Sequence, residues 1–381
     1  MIWEEEEFLW HGPLVYAGDL QAIEHGLPGN IHALDILRVS PDDLQQLPAA
    51  VVVDGTTLTS DERAEVQRRL RVLYGRLPCE IPFIFLCDDR LLWQEAFRPQ
   101  TILDARIPRD LLLQRIRFVQ RFIVRIEEAR IRRRVLGRIA SYGTAPHFTG
   151  ASGLLVIGRG RRFLEVENID HHAVEVIGAF TGNMGETYLA NRAFDAVILD
   201  EDSYESGFEI DKLRRDPRFA TLPVLAFASD EDDLPALFRS GLSDVIAGDP
   251  TRENLSMRIA SAVRIGKRRR LSDRVLTASR AWLLQTSLRG GISQELYQAY
   301  CARLTAAMAP RGIQVCELSL EDGSCSADKR QTVLSLADAI NREDDLACSI
   351  EGKNTVAVVK SQSAADKLKS RIEAILDQTR L

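Results

Sequence analysis

Much of what this chain could be is excluded by what it lacks. No apolar run reaches the roughly 18 residues that a membrane-spanning helix needs. The opening MIWEEEEFLW is acidic where a secretory leader would be basic. Both features predict a cytoplasmic protein with no membrane insertion. The cysteines are six, Cys79, Cys87, Cys301, Cys316, Cys325 and Cys348. None forms a Cys-x-x-Cys pair and no histidine stands near in ligand spacing, so they read as reduced thiols and no metal site is expected. The net charge of −6 gives no support for nucleic-acid binding. What remains is an ordinary globular composition, 45% hydrophobic and 27% charged.

Short apolar runs recur along the chain. Leu14 to Ala17, Ala33 to Val39, Val51 to Val53, Pro82 to Leu86 and Thr101 to Leu103 read as strands, with amphipathic stretches such as Ser60 to Gly75 between them. Strands alternating with helices predict a doubly wound parallel sheet. The pattern repeats after about 140 residues, in Leu154 to Ile157, Val174 to Ile177, Ala196 to Leu199, Val224 to Phe227 and Val245-Ile246. Each repeat ends in a long basic helix, Leu111 to about Ser141 and about Asn254 to Thr286. Gly143-Thr144-Ala145-Pro146 separates them. The tail reads as a small α+β domain with an antiparallel sheet. Its helices are Gln294 to Met308, Asp328 to Asn341 and Ser363 to Thr379, and its strands are Ile313 to Leu318 and Thr355 to Val359. The expected division is 1–141, 142–272 and 273–381.

The second repeat resembles response-regulator receiver domains. Asp216-Pro217, Leu222-Pro223-Val224-Leu225 and Ala236 to Asp244 carry the likeness, with Phe194-Asp195-Ala196-Val197-Ile198-Leu199-Asp200 as the third strand. The resemblance makes Asp200 the phospho-acceptor position, and Val51-Val52-Val53-Asp54 makes Asp54 the same in the first repeat. Phosphoryl transfer also needs a cation held by acids and a lysine to take the remaining charge. The family's acidic pair falls here on Gly158-Arg159 and on Ala17-Gly18, its hydroxyl on Ala228 and Cys87, and its lysine on Asp249 and Ile107. Asp54 and Asp200 therefore read as inactive acceptor positions. Asp19, Glu201 and Asp202 are the acids that could rescue a cation site.

The tail resembles a truncated GGDEF domain, and the whole resembles the PleD-type diguanylate cyclases and their non-catalytic relatives of the PopA type. At the signature stands Glu351-Gly352-Lys353-Asn354-Thr355, with Lys353 for the catalytic acid and Asn354 for the next. Glu317 is the one acid in the preceding strand, where a metal ligand is required. The resemblance implies a domain that is not an enzyme and has no catalytic residue or metal. Just before the hairpin, Arg342-Glu343-Asp344-Asp345 occupies the place of the family's Arg-x-x-Asp inhibitory site for cyclic di-GMP. Arginine can fork onto guanine O6 and N7, and a carboxylate can accept from guanine N1–H and N2–H. Arg342 and Asp345 are thus the candidate ligand pair, and Arg371 is the candidate second arginine. A surface ion pair ending a helix is the plain alternative.

In the first basic helix Ile126, Ile131, Val135 and Ile139 form an apolar stripe suited to pairing two protomers. Lys267 to Arg270 read as the solvated face of the second, and Trp282, Tyr297 and Tyr300 as core anchors. The expectation is a cyclic di-GMP effector, dimeric through its receivers, that recruits protein partners. The resemblance further implies an adaptor or protease system in cell-cycle control, with recruitment to a cell pole. A nucleotide-independent scaffold and a phosphorylation-switched regulator are the alternatives.

Overall fold

The computed structural model describes residues 8–19, 23, 27, 31–39, 44–88, 98–137, 153–169, 174–200, 210–216, 218–228, 234–320, 327–342, 344–351 and 355–379. Gly143 to Pro146, Ile139, Cys325, Glu201, Asp202, Pro217, Glu343, Gly352, Lys353 and Asn354 lie outside them.

The first repeat supplies β1 (Leu14–Ala17), β2 (Ala33–Asp35), β3 (Ala50–Asp54), α1 (Ser60–Arg76), β4 (Phe83–Cys87), β5 (Thr101–Asp104) and α2 (Arg109–Leu136). The second supplies β6 (Gly153–Ile157), α3 (Phe163–Glu167), β7 (Glu175–Ala179), α4 (Gly182–Asn191), β8 (Ala196–Leu199), α5 (Ile210–Arg215), β9 (Val224–Ala228), α6 (Leu234–Arg239), β10 (Asp244–Ala247) and α7 (Arg252–Leu288). Val, Ile and Phe dominate β3 and β4, which are buried along almost their whole length, as strands covered on both faces must be. The two sheets are parallel, ordered β2-β1-β3-β4-β5 and β10-β9-β8-β6-β7. Both therefore have the flavodoxin-like order, with a switch point between the first and third strands. Strand β2 stops well short of Val39. Asp35 Oδ1 accepts from Leu37 N–H, and the Arg38 and Val39 N–H groups turn back to the Asp35 carbonyl.

The chain divides into two compact units, Met1–Ile123 with Pro146–Arg270, and Val124–Ala145 with Leu271–Leu381. In the first unit both sheets belong to one body. Edge strand β5 meets edge strand β10, and Asp104 N–H donates to Asp244 Oδ1 at 3.2 Å. One apolar cluster runs through both domains, including Leu112, Leu113 and Ile116 beside Leu237, Leu242 and Val245. Arg258 is fully buried here; its guanidinium reaches Asp244 Oδ2 (3.3 Å), the Val245 carbonyl (3.0 Å), Cys87 Sγ (3.3 Å) and Asp104 Oδ2 (3.8 Å). The two fifth-strand edges are thus consumed within one chain, and a homodimer through these two domains would need other surfaces.

The basic helices also correct the sequence reading. Lys267 to Arg270 are not a solvated face, since none of the four is exposed. Arg268 forks onto Glu80 (2.7 Å to each oxygen), Arg269 donates to the Arg218 carbonyl (2.9 Å), and Arg270 pairs with Asp195 (3.1 Å). Long aliphatic stems let arginine bury while its head stays paired. In α2, Ile126 and Ile131 of the apolar stripe are buried within the chain itself, and Val135 is half-buried.

The second unit adds α8 (Gln294–Met308), β11 (Cys316–Ser319), α9 (Ala327–Ile340), β12 (Leu346–Ser349), β13 (Thr355–Val359) and α10 (Gln362–Thr379). Its sheet is antiparallel, ordered β11-β13-β12. Strand β11 begins at Cys316 rather than Ile313. A 3₁₀ turn (Ala309–Arg311) and left-handed Gly312 (φ +66°) end α8, and Ile313 N–H turns back to the Met308 carbonyl. Tyr297 and Tyr300 are buried core anchors, and Trp282 is half-buried.

Candidate functional site

Two kinds of place were singled out by sequence, the switch points of the two parallel sheets and the turn before β12. At a switch point the carboxyl ends of the strands diverge and leave a crevice. Asp54 ends β3, and its Oδ1 accepts from Thr56 N–H (3.0 Å) and Thr56 Oγ1–H (2.6 Å). Its Oδ2 accepts from the Tyr16 hydroxyl at 3.4 Å. Burial, then the Asp54 charge, raises the Tyr16 phenol far above its ordinary range, so it stays a donor. Asp200 follows β8 and is 1% exposed. Its Oδ2 accepts from the backbone N–H groups of Gly160 (3.0 Å) and Arg161 (2.8 Å).

The two sites share a corner. Gly18 (φ +139°) and Gly158 (φ +146°) follow β1 and β6, and a Cβ there would lie 2.9 and 2.3 Å from the Cβ of Asp54 and Asp200. Ala17 pairs with Val53 as Ile157 pairs with Leu199, so Gly18 corresponds to Gly158 and Asp19 to Arg159. The acidic-pair position of the first domain is therefore Gly18-Asp19, one residue later than the spacing alone suggests. Asp249, at the lysine position, accepts from Arg162 Nη2 at 3.0 Å. Cys87, at the hydroxyl position, faces Arg258. In the second domain the carboxylate thus serves as an anchor for the loop after β6.

The turn before β12 belongs to the second unit. Helix α9 ends at Ile340, and Asp345 N–H donates to the Arg342 carbonyl at 3.1 Å. Arg342 is exposed, but Asp345 is buried and its carboxylate points inward. Lys360 Nζ lies 3.3 Å from Asp345 Oδ1, 3.7 Å from Asp344 Oδ2 and 3.6 Å from Glu128 Oε2. It also donates to the Asp344 carbonyl. Arg132 donates to the Asp345 carbonyl (2.8 Å) and to Glu128 Oε1 (2.6 Å), which also accepts from the Tyr300 hydroxyl (2.7 Å). Burial pushes the Asp345 carboxyl up to about 6, against the pull of Lys360. Burial works the same way on Asp344, but Lys360, Arg125 and Arg342 outweigh it and hold that carboxyl low.

The structure therefore puts Arg342 and Asp345 on one turn but aims them differently. Arg371 sits on the exposed side of α10, opposite the buried Ala365, Leu368 and Ile372. The hold on Asp345 comes from Arg132 and Lys360, which the sequence reading missed. Lys360 had a signal. The antiparallel register pairing Leu346 with Val358 continues to set Asp344 opposite Lys360. Arg132 had none, because its helix lies more than 200 residues away.

No protein-family model and no curated protein matches the sequence. Among solved structures, a protein assigned as a response regulator from Chloroflexus aurantiacus J-10-fl is 22% identical, covering 30% of this chain and 99% of its own, with a TM-score of 0.27. The chemotaxis response regulator CheY4 of Vibrio cholerae is 17% identical, covering 28% and 93%, with a TM-score of 0.25. A protein described as a probable two-component response regulator/GGDEF domain protein is 15% identical, covering 67% and 99%, with a TM-score of 0.27. At such scores the fold assignment rests on strand order and register, not on these likenesses.

Proposed function

We propose that this chain is a non-enzymatic signalling protein of the receiver-plus-GGDEF kind. Its input is cyclic di-GMP at the Arg342–Asp345 turn, and its output is contact with protein partners. The observation that carries the reading is the turn itself. An exposed arginine stands at one end of it, and the other end is fastened by Arg132, giving a built position rather than a loose loop. A guanidinium so presented suits the fork of guanine O6 and N7. Calorimetric titration tests it. Cyclic di-GMP is expected to release heat with the wild type, and Arg342→Ala to weaken binding by roughly 2 kcal/mol, ~30-fold. Wild-type protein that gives no heat at saturating dinucleotide overturns the reading.

A second reading is a nucleotide-independent scaffold. The inward Asp345 carboxylate favours it, because a carboxylate paired with Lys360 does not accept from a guanine edge. Recruitment to a cell pole and a role in regulated proteolysis belong to the first reading through the PopA-type resemblance alone.

A further inference from the structure

We infer that Lys360 is an internal occupant of the Arg342–Asp345 turn: its ammonium takes the Asp345 carboxylate that a guanine edge would use, and Glu128 and Arg132 lock that closed state. The choice of ligand rests on the cyclic di-GMP reading above; the contacts of Lys360 with Asp345, Asp344 and Glu128 do not.

Three carboxylates surround one ammonium. Glu128, Asp344 and Asp345 all lie within 3.3–3.7 Å of Lys360 Nζ. Glu128, Asp345 and Lys360 are buried, so these pairs are little screened by solvent or salt. Lysine carries three donors and no acceptor, and here it can only satisfy oxygen. Guanine N1–H and N2–H are donors of the same kind aimed at the same acceptor. The dinucleotide and Lys360 therefore compete for Asp345 Oδ1. The lock is mutual. Glu128 Oε1 is itself held by Arg132 and Tyr300, so Lys360 meets a fixed anion and not a mobile one. Arg132 reaches past Glu128 to the Asp345 carbonyl, tying the turn's backbone to the same helix. Glu128 and Arg132 act here as positioning residues, since neither is placed to touch a ligand.

Removing Lys360 alone would strand buried acids. The variant of choice is therefore the charge-balanced Glu128→Gln/Lys360→Gln, with Glu128→Gln alone as the second variant should the double one fail to fold. Hydrogen exchange reads the lock without any ligand, because the Asp345 amide is bonded within the turn. Exchange at Asp344 to Leu346 is expected to quicken at least ~10-fold in the double variant, and at least ~3-fold in Glu128→Gln, and to stay slow in Lys360→Arg. Cyclic di-GMP is expected to bind the double variant at least ~5-fold more tightly than the wild type. Unchanged exchange overturns the closed state, and weaker binding by the opened variant overturns the competition. Faster exchange with no binding to either chain supports the lock and removes the dinucleotide reading.

Discussion

Arg258→Met is expected to destabilise the two parallel-sheet domains by about 3–5 kcal/mol, seen as a fall of roughly 10 °C in melting temperature. Methionine fills much of the same volume but carries no charge. The variant leaves Asp244 buried without its guanidinium, and strips Cys87 and the Val245 carbonyl of a donor. Asp104 is less affected, because Arg106 forks onto it at 2.8 Å to each oxygen. The loss also depends on pH. Burial raises the Asp244 carboxyl from 3.8 to about 6, and Arg258 is the main influence opposing that rise. Between those values the folded chain keeps a proton that the unfolded chain has released. This contribution to stability is full below 3.8 and fades as pH rises through about 6. Without Arg258 the carboxyl climbs further, so the variant should go on losing stability above pH 6 where the wild type levels off. Thermal melts on either side of that pH measure it. A variant as stable as wild type at neutral pH would show that the two domains do not depend on this cluster.

Gly266→Ala is expected to cost roughly 3 kcal/mol or more, in the range reserved for changes with a definite steric cause. In an open helix the same change should stabilise by up to about 1 kcal/mol, since glycine is a poor helix former. Here the sign reverses. A Cβ on Gly266 would lie 1.6 Å from the Asp195 carbonyl oxygen and 2.4 Å from its carbon, and backbone cannot step aside as a flexible side chain can. Helix α7 would have to lift away, and the Arg270–Asp195 pair and the Arg269 bond to the Arg218 carbonyl would go with it. Gly75, near the end of α1, is the matched control, because nothing lies within 4 Å of its added Cβ. Denaturant midpoints for the two alanine variants should move in opposite directions. A Gly266→Ala midpoint that rises would mean that α7 is not seated on the Asp195 backbone.

Both parallel sheets were legible in the sequence because strands buried on two faces announce themselves as apolar runs. The strand ends were legible for the same reason, since Asp54 and Asp200 stand where such runs stop. Three things were not. The meeting of β5 with β10 depends on Arg258, which stands in a helix that reads as merely basic. The correspondence of Gly18 with Gly158 depends on strand register, which spacing alone misses by one residue. The hold on the Asp345 turn depends on Arg132 as well as Lys360, and although hairpin register points to Lys360, no local pattern marks Arg132. In the first and third cases the missing information is a pairing of charged groups. The favourable and unfavourable parts of such pairs nearly cancel, so they leave little trace in local pattern.

That the Asp54 and Asp200 carboxylates hold loops rather than accept phosphoryl groups is tested most directly with beryllofluoride. This ion mimics a phosphoryl group on an aspartate when magnesium is held beside it. Titrated with magnesium into the full chain, it is expected to leave the melting temperature unchanged, because Asp200 Oδ2 is already taken by Gly160 and Arg161 and Asp54 Oδ1 by Thr56. A dose-dependent rise in melting temperature that Asp200→Asn or Asp54→Asn abolishes would contradict it.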